Sequence, residues 1–355
     1  MQEEPVSPST VRGRPLRRAV IWLSSTALFV GLTLVGLALT SKLFGGSSPQ
    51  ADARLFEPAA LAWILSFLTV YFAADGLRLY FVLRVLDAPV KLRQIFPLVF
   101  INILFSNITP LATGGGFAQV WYLQRRAISV GVSAAATIIR TILAMLAIFI
   151  AAPLFQVLHP ASAVDGFVAT VVQSLSIFIA LYLVGFLIVL VRPFWIVIAL
   201  EKMLALLERA EILGGERRQR WSDIIRREMI EYSNGFQRFL RSPSRYVLGS
   251  ILATVIFLVT LFAFPALLMY LLDYDVDWLT VIGTLAVVTF LMYFAPTPGG
   301  AGFSELAFAG LMAGQINSEH LLLIIFAWRF LTIYLGMMIG LVVSTYTLRP
   351  ERGRA

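Results

Sequence analysis

Residues 110–119 read PLATGGGFAQ, and residues 296–305 read PTPGGAGFSE. At an offset of 186, and without a gap, Pro110 aligns with Pro296, Gly114 with Gly300, Gly116 with Gly302 and Phe117 with Phe303. Gln119 falls opposite Glu305, a near-isosteric pair. Each motif follows an apolar run and precedes a short, moderately apolar stretch, 117–127 or 303–314. A long apolar span comes next, with one arginine near its middle: Arg140 in ATIIRTIL and Arg329 in FAWRFLTI. Clusters of proline and glycine leave backbone N–H and C=O groups free. Lipid cannot satisfy such groups, so they are tolerated only where protein buries them or a wet cavity meets them. Each motif therefore reads as a break between two half-helices. Gly114, Gly115 and Gly116, like Gly299, Gly300 and Gly302, would allow positive φ and close backbone approach. Pro110, Pro296 and Pro298 would end the preceding helices and act as hinges.

The composition around the motifs is that of a membrane protein. Of 355 residues, 59% are hydrophobic and 14% charged, against roughly 45–50% and 25% in soluble domains. The mean hydropathy is +0.84. The apolar residues gather in eight blocks, 19–41, 58–83, 94–110, 128–155, 167–191, 247–272, 277–296 and 318–346. Blocks of that length read as spans, and they lack the short alternation of barrel strands. The fold expectation is an all-α polytopic membrane protein of about eight transmembrane helices, with two re-entrant or broken-helix elements in an inverted-topology repeat. Cysteine is absent, which excludes a disulfide framework and cysteine chemistry. The two histidines, His159 and His320, stand far apart. No nucleotide, metal or nucleophile motif is present, so no cofactor is expected and the chain does not read as an enzyme.

Charge sets the expected sidedness. The N-terminal tail, 84–93, Arg125–Arg126, 193–246 and the C-terminal tail together carry 22 of the 28 Lys/Arg. The opposite loops carry Lys42 and Arg54. Lys/Arg-rich loops are cytoplasmic, so both termini are expected on the cytoplasmic side. The net charge of +8 then reflects orientation and anionic lipid, not a nucleic-acid partner. The organisation is a tail, 1–18; a first membrane half, 19–192, with motif 107–127; a basic linker, 193–246; a second half, 247–346, with motif 295–314; and a tail, 347–355. The linker reads as two amphipathic helices broken at Gly214–Gly215, with the look of a helix lying on an anionic leaflet; a solvated connector between the halves and a regulatory or partner-docking role are its two readings.

Six charged residues fall outside the loops: Asp75, Arg78, Arg140, Arg192, Glu305 and Arg329. Arg192, at a span end, snorkels. Asp75 and Arg78, three apart, suit a local ion pair; with Asn107 they are secondary site candidates. Arg140, Glu305 and Arg329 lie too deep for either account and must face protein, water or a counter-charge. Two readings stay open. One is an Arg–Glu–Arg lock joining the repeats. The other is an anion site, with two guanidiniums on a phosphate, half-helix N-termini adding partial positive charge, Glu305 engaging the rest of a headgroup and Gln119 hydrogen-bonding without charge.

PTPGGAGFSE, SNITPLATGGGFAQ, TIIRTIL and RLYFVLRVLDAPVKLRQ resemble the lysylphosphatidylglycerol synthase transmembrane-domain family, the flippase-like domain of multiple peptide resistance factor and of stand-alone inner-membrane homologues. The resemblance covers about residues 60–345. The family commonly has Gly-Glu where this chain has Ala118–Gln119, and the lysyl-lipid synthesis of members with an aminoacyl-transferase domain is not expected. The resemblance implies lipid translocation between leaflets, with the motif glycines, Arg140, Glu305 and Arg329 as matching positions. The expected partners are membrane lipids, a phospholipid or a polyprenyl-phosphate-linked lipid, with a homodimer and envelope-synthesis partners as further expectations. An enzyme modifying lipid headgroups and a secondary transporter of small solutes or ions are the rival classes.

Overall fold

The computed structural model describes residues 51–109, 113–158, 215–242, 244–292, 297–312 and 316–347, together with ten single positions at 27–42 and 202–208. The expected spans 19–41 and 167–191, both tails, Arg192, Pro110 and Pro296 lie outside these residues or nearly so.

The described chain is helical. A 3-10 turn at Ala53–Phe56 leads into α1 (Pro58–Val85). Then come α2 (Leu92–Asn107), α3 (Thr113–Gln124), α4 (Val130–Leu158) and α5 (Gly215–Arg241). α6 (Arg245–Leu271), α7 (Trp278–Met292) and α8 (Phe303–Met312) follow. The last rod, α9 (Ser318–Thr347), contains one π turn at Phe330–Tyr334. α1, α4, α6 and α9 are long and apolar enough to cross a membrane. The 16 residues of α2 and the 15 of α7 rise only about 22–24 Å, short of a hydrocarbon core of about 30 Å. The chain is an all-α, multi-pass membrane protein.

The 186-residue offset found in the motifs extends to whole helices. It carries 58–85 to 244–271, where α6 runs 245–271, and 92–107 to 278–293, where α7 runs 278–292. It also carries α3 onto α8 and α4 onto α9 within a few residues. α1 packs on its own counterpart α6. Their contacts pair Phe67 with Phe264, Tyr71 with Phe257 and Arg84 with Tyr246. As one number rises the other falls, so the helices are antiparallel. Tyr71 stacks on Phe257 (centroids 5.1 Å apart), and these two positions are 186 apart. A pseudo-two-fold axis therefore passes between them. The cross-contacts obey it: Tyr71 meets Phe264 edge-on while Phe257 meets Arg78, positions that exchange under the same offset. α9 likewise packs on α2 as α4 packs on α7. Two antiparallel copies of one unit across a bilayer make an inverted repeat.

Within the first unit, α2 and α3 form a hairpin. Gly114 lies against Phe105 and Thr109, Gly115 against Asn102 and Ser106, and the Tyr122 hydroxyl donates to the Gln94 carbonyl (2.8 Å). Side chains hold the turn. Asn107 donates to the Ile103 carbonyl (2.8 Å), and the Thr109 hydroxyl donates to that of Phe105 (2.8 Å). The same hydroxyl accepts from the Gly114 amide (2.8 Å), so one side chain ends α2 and caps α3. Gly114–Gly116 are helical, contrary to the expectation of positive φ there. They are glycines because α3 lies close on α2: a Cβ at Gly115 would collide with the Ser106 hydroxyl. In the second motif Gly299, Gly300 and Gly302 do adopt positive φ (57°, 64° and 82°), and α8 starts only after them. This second turn packs against α2, so the tip of one hairpin meets the body of the other.

The loops sort onto two ends. Arg54 binds Asp52 and Asp273, and His320 meets Tyr274 and Asp52, which joins 51–57, 272–277 and 317–320. At the other end Arg238 binds Asp87, and Glu228 accepts from the Gly131 amide (2.7 Å). This is the partition the charges predict. α5 docks one face on α1 and α4: Tyr232 and Phe239 join the core of Leu83, Leu86 and Ala135.

Candidate functional site

Two ionic centres lie buried in the helical bundle, one in each repeat. In the first, the Asp75 carboxylate accepts from Arg78 Nε (2.7 Å) and from Arg140 Nη2 (2.6 Å). All three side chains are buried. Asp75 and Arg78 share one face of α1 at the i,i+3 spacing, and α4 brings Arg140 to the same oxygen. The Arg78 guanidinium also lies 3.9 Å from the centre of the Phe257 ring, a cation–π contact across the pseudo-two-fold. The triad carries one unit of positive charge. The local pair read from the sequence is thus one edge of a larger cluster.

The second centre belongs to the broken helix. Arg329 Nε donates to Glu305 Oε1 (2.7 Å), and Arg329 Nη2 donates to the Gly299 carbonyl (3.2 Å). The Ser304 hydroxyl donates to Glu305 Oε2 (2.9 Å). Glu305 is wholly buried and Arg329 is 1% exposed. Glu305 stands in the first turn of α8, where a carboxylate faces the positive end of the helix dipole. A non-helical Gly299 turns its carbonyl toward the arginine. Immediately after Arg329 the helix takes its π turn, an irregularity that frequently marks functional sites.

The Arg–Glu–Arg cluster expected from the sequence does not form. Glu305 pairs with Arg329, whereas Arg140 pairs with Asp75. The repeat explains the split. Arg140 aligns with Phe326, and Arg329 with Leu143. The two arginines lie about one helical turn apart in the repeat register, so each centre lacks a counterpart in the other unit. Gln119, the counterpart of Glu305, is wholly buried, and neither of its amide atoms has a hydrogen-bond partner among the described residues. Leu143 occupies the position from which an arginine would reach it.

Sequence reasoning missed Ser304, which fixes Glu305, and Asn102, Ser106 and Thr109, the polar row that runs along α2 into the turn after it and faces the first glycines. That row was legible as i, i+4, i+7 polarity on an otherwise apolar helix.

The second centre has unspent donors. Arg329 Nη1 and Trp328 Nε1 are buried with no hydrogen-bond partner among the described residues. The first amides of α8 have no partner within their own helix. Donors of this kind suit an oxyanion. Among the described residues no group of three or more His, Cys, Asp or Glu side chains could hold a metal ion.

Comparison with known proteins agrees with this architecture. Over 319 residues the chain is 24% identical to a UPF0104 membrane protein of Archaeoglobus fulgidus, covering 89% of this chain and 95% of the relative. The model of the lysylphosphatidylglycerol synthase TM region matches residues 20–340. With nearly the whole chain matched, both motifs and both ionic centres included, the protein belongs to the lysylphosphatidylglycerol synthase TM-region family.

Proposed function

We propose that this protein translocates a polar-headed, phosphate-bearing lipid between the leaflets of a prokaryotic cytoplasmic membrane, with the basic end of the bundle in the cytoplasm. The observation that carries the reading is Arg329. It is a buried arginine beside a broken helix, held by Glu305 and Gly299, with Nη1 unspent among the described residues. An unmade buried hydrogen bond is destabilising; Arg140 Nε of the first centre also lacks a partner among the described residues, and what singles out Arg329 is the broken helix beside it. A transport site keeps one donor for its cargo. The lipid phosphate would take Arg329 Nη1, and Glu305 would face the cationic or hydroxylated remainder of the headgroup. The triad at Asp75 would add a fixed positive potential without touching the cargo. The family's link to lysylphosphatidylglycerol supports a lipid as the cargo, and the antiparallel repeats support exchange between two faces.

The test is leaflet exchange of fluorescent phospholipids in proteoliposomes, with and without a proton gradient. Wild type should exceed empty vesicles. Arg329→Ala and Glu305→Gln should fall to the empty-vesicle rate while remaining folded in size-exclusion chromatography. Wild-type exchange equal to that of empty vesicles under every gradient and headgroup would overturn the proposal.

A further inference from the structure

A crevice between α4, α6 and α7 encloses about 310 Å³ and is lined by hydrocarbon side chains, among them Ala151, Leu154, Leu258 and Ala286. That is roughly twice the ~150 Å³ apolar cavity that stays dry and accepts a benzene ring. Four lining residues, Leu154, Val255, Val259 and Leu279, are about half exposed on the outside of the bundle, so the crevice opens sideways. α4 and α6 are long and apolar enough to cross a membrane and α7 is a shorter apolar helix, so an opening on their outer side, clear of the other described residues, would face the hydrocarbon of the bilayer.

The pseudo-two-fold supplies a control within the same molecule. Under the 186 offset Ala286 corresponds to Phe100, Leu258 to Phe72, Ala151 to Met337 and Leu154 to Gly340. On that side the crevice is shut. Phe100 and Phe72 pack ring on ring (centroids 4.9 Å apart), Met337 is buried, and Gly340 lies so close to the Phe100 carbonyl that a Cβ would collide with it. Where one unit fills the space with its own phenyl ring and thioether, the other has two alanines. Interiors are close-packed, and a void forfeits the contacts of its lining. A volume left by small side chains at positions that are large in the sister unit is a volume for something else.

We propose that this crevice binds one acyl chain of a membrane phospholipid. The chain comes from the leaflet at the end opposite the basic loops, because the crevice lies in the half of α4 beyond Ala147, away from Arg125 and Arg126. The site holds a tail, not a headgroup, and rests on the membrane placement of the helices, not on transport. It would fix a lipid by its hydrocarbon at the flank of the bundle.

The experiment uses proteoliposomes containing a phospholipid with a diazirine on one acyl chain. After illumination, adducts are mapped by mass spectrometry. Wild type should be labelled on the facing stretches of α4, α6 and α7 above the level on other lipid-facing helix surfaces. Ala151→Met/Ala286→Phe installs the residues of the filled side and should lower that labelling several-fold, with labelling elsewhere unchanged. Ala286→Leu, a smaller plug, gives the same reading if the double variant does not fold. Arg329→Ala, which addresses translocation, should leave the labelling intact, so failure of transport and failure of this site are separable. Equal labelling in wild type and plugged protein would overturn the proposal. So would cross-links at the crevice to a second copy of the chain in place of lipid.

Discussion

Residue Glu305 shows how much a single buried charge depends on its partner. Removing one member of a buried ion pair typically costs about 3–5 kcal/mol, because the other is left uncompensated, whereas replacing both by apolar groups is often neutral. Glu305→Gln alone should lower stability by about 3 kcal/mol or more, and Glu305→Gln/Arg329→Met should recover most of that loss. Thermal unfolding in detergent micelles reads both, and the double variant should still fail to move lipid. Gln119 makes the reverse case. Its amide is buried and unpartnered, so Gln119→Leu should raise stability by about 1 kcal/mol. If the amide serves a headgroup, exchange should slow in the same variant. The triad yields a headgroup test: Arg140→Ala leaves Asp75 and Arg78 as a neutral pair, so exchange of anionic lipid should fall more than that of zwitterionic lipid. The sequence exposed every one of these charges, because an ionisable residue inside an apolar span stands out by itself. It exposed the local Asp75–Arg78 pair but not the long-range pairings. Asp75 and Arg140 are 65 residues apart, and only the packing of α4 on α1 decides that they share an oxygen.

Elements, unlike pairings, were legible nearly to the residue. Six expected spans coincide with helices to within about four residues, because lipid leaves a buried chain little choice but to be helical. The two breaks were also legible, since proline and glycine clusters interrupt otherwise apolar blocks. Their geometry was not. The same letters give a helical, tightly packed start to α3 and a left-handed turn before α8, and the difference lies in what each glycine faces. A pair of adjacent substitutions separates these causes. Gly115 faces Ser106 and Asn102 with no room for a methyl group, whereas a Cβ at Gly116 would meet only Thr137 Cγ2 at an ordinary 3.5 Å. Both positions are helical, where alanine is favoured over glycine by about 1 kcal/mol. Gly116→Ala should therefore raise the melting temperature, and Gly115→Ala should lower it by forcing the α2–α3 hairpin apart. If both fell together, the glycines would be needed for backbone freedom and not for close approach.

At the scale of the whole molecule, the two antiparallel units are tied at one end by a cluster that no local pattern announced. Asp52, Arg54, Asp273, Tyr274 and His320 come from three loops and meet through hydrogen bonds of 2.7–2.9 Å, with His320 Nε2 3.5 Å from Asp52. Each loop is short and ordinary in sequence, and the cluster exists only because the pseudo-two-fold stacks the start of α1 beside the end of α6. Asp52 is its keystone. Hydrogen bonds from the Arg54 side chain and amide hold its carboxyl down from 3.8 to about 2. A carboxyl depressed by folding stabilises the folded state while it is ionised, so its contribution is complete above the ordinary value. It is lost as pH falls from 3.8 toward about 2. Because Arg54 is partly exposed (35%), solvent screening limits the contribution to about 1 kcal/mol. The melting temperature of Asp52→Asn should lie below that of wild type by a constant gap from pH 7 to about pH 5, and the gap should close as the wild-type carboxyl protonates. Measuring both proteins also in a His320→Gln background removes the imidazole beside Asp52, so a gap that still closes in acid belongs to Asp52 itself. A gap that stayed constant down to the lowest pH would mean that the loops are held by packing alone. The tie between the repeats would then not be ionic, and exchange between leaflets should be equally indifferent to acid on that side of the membrane.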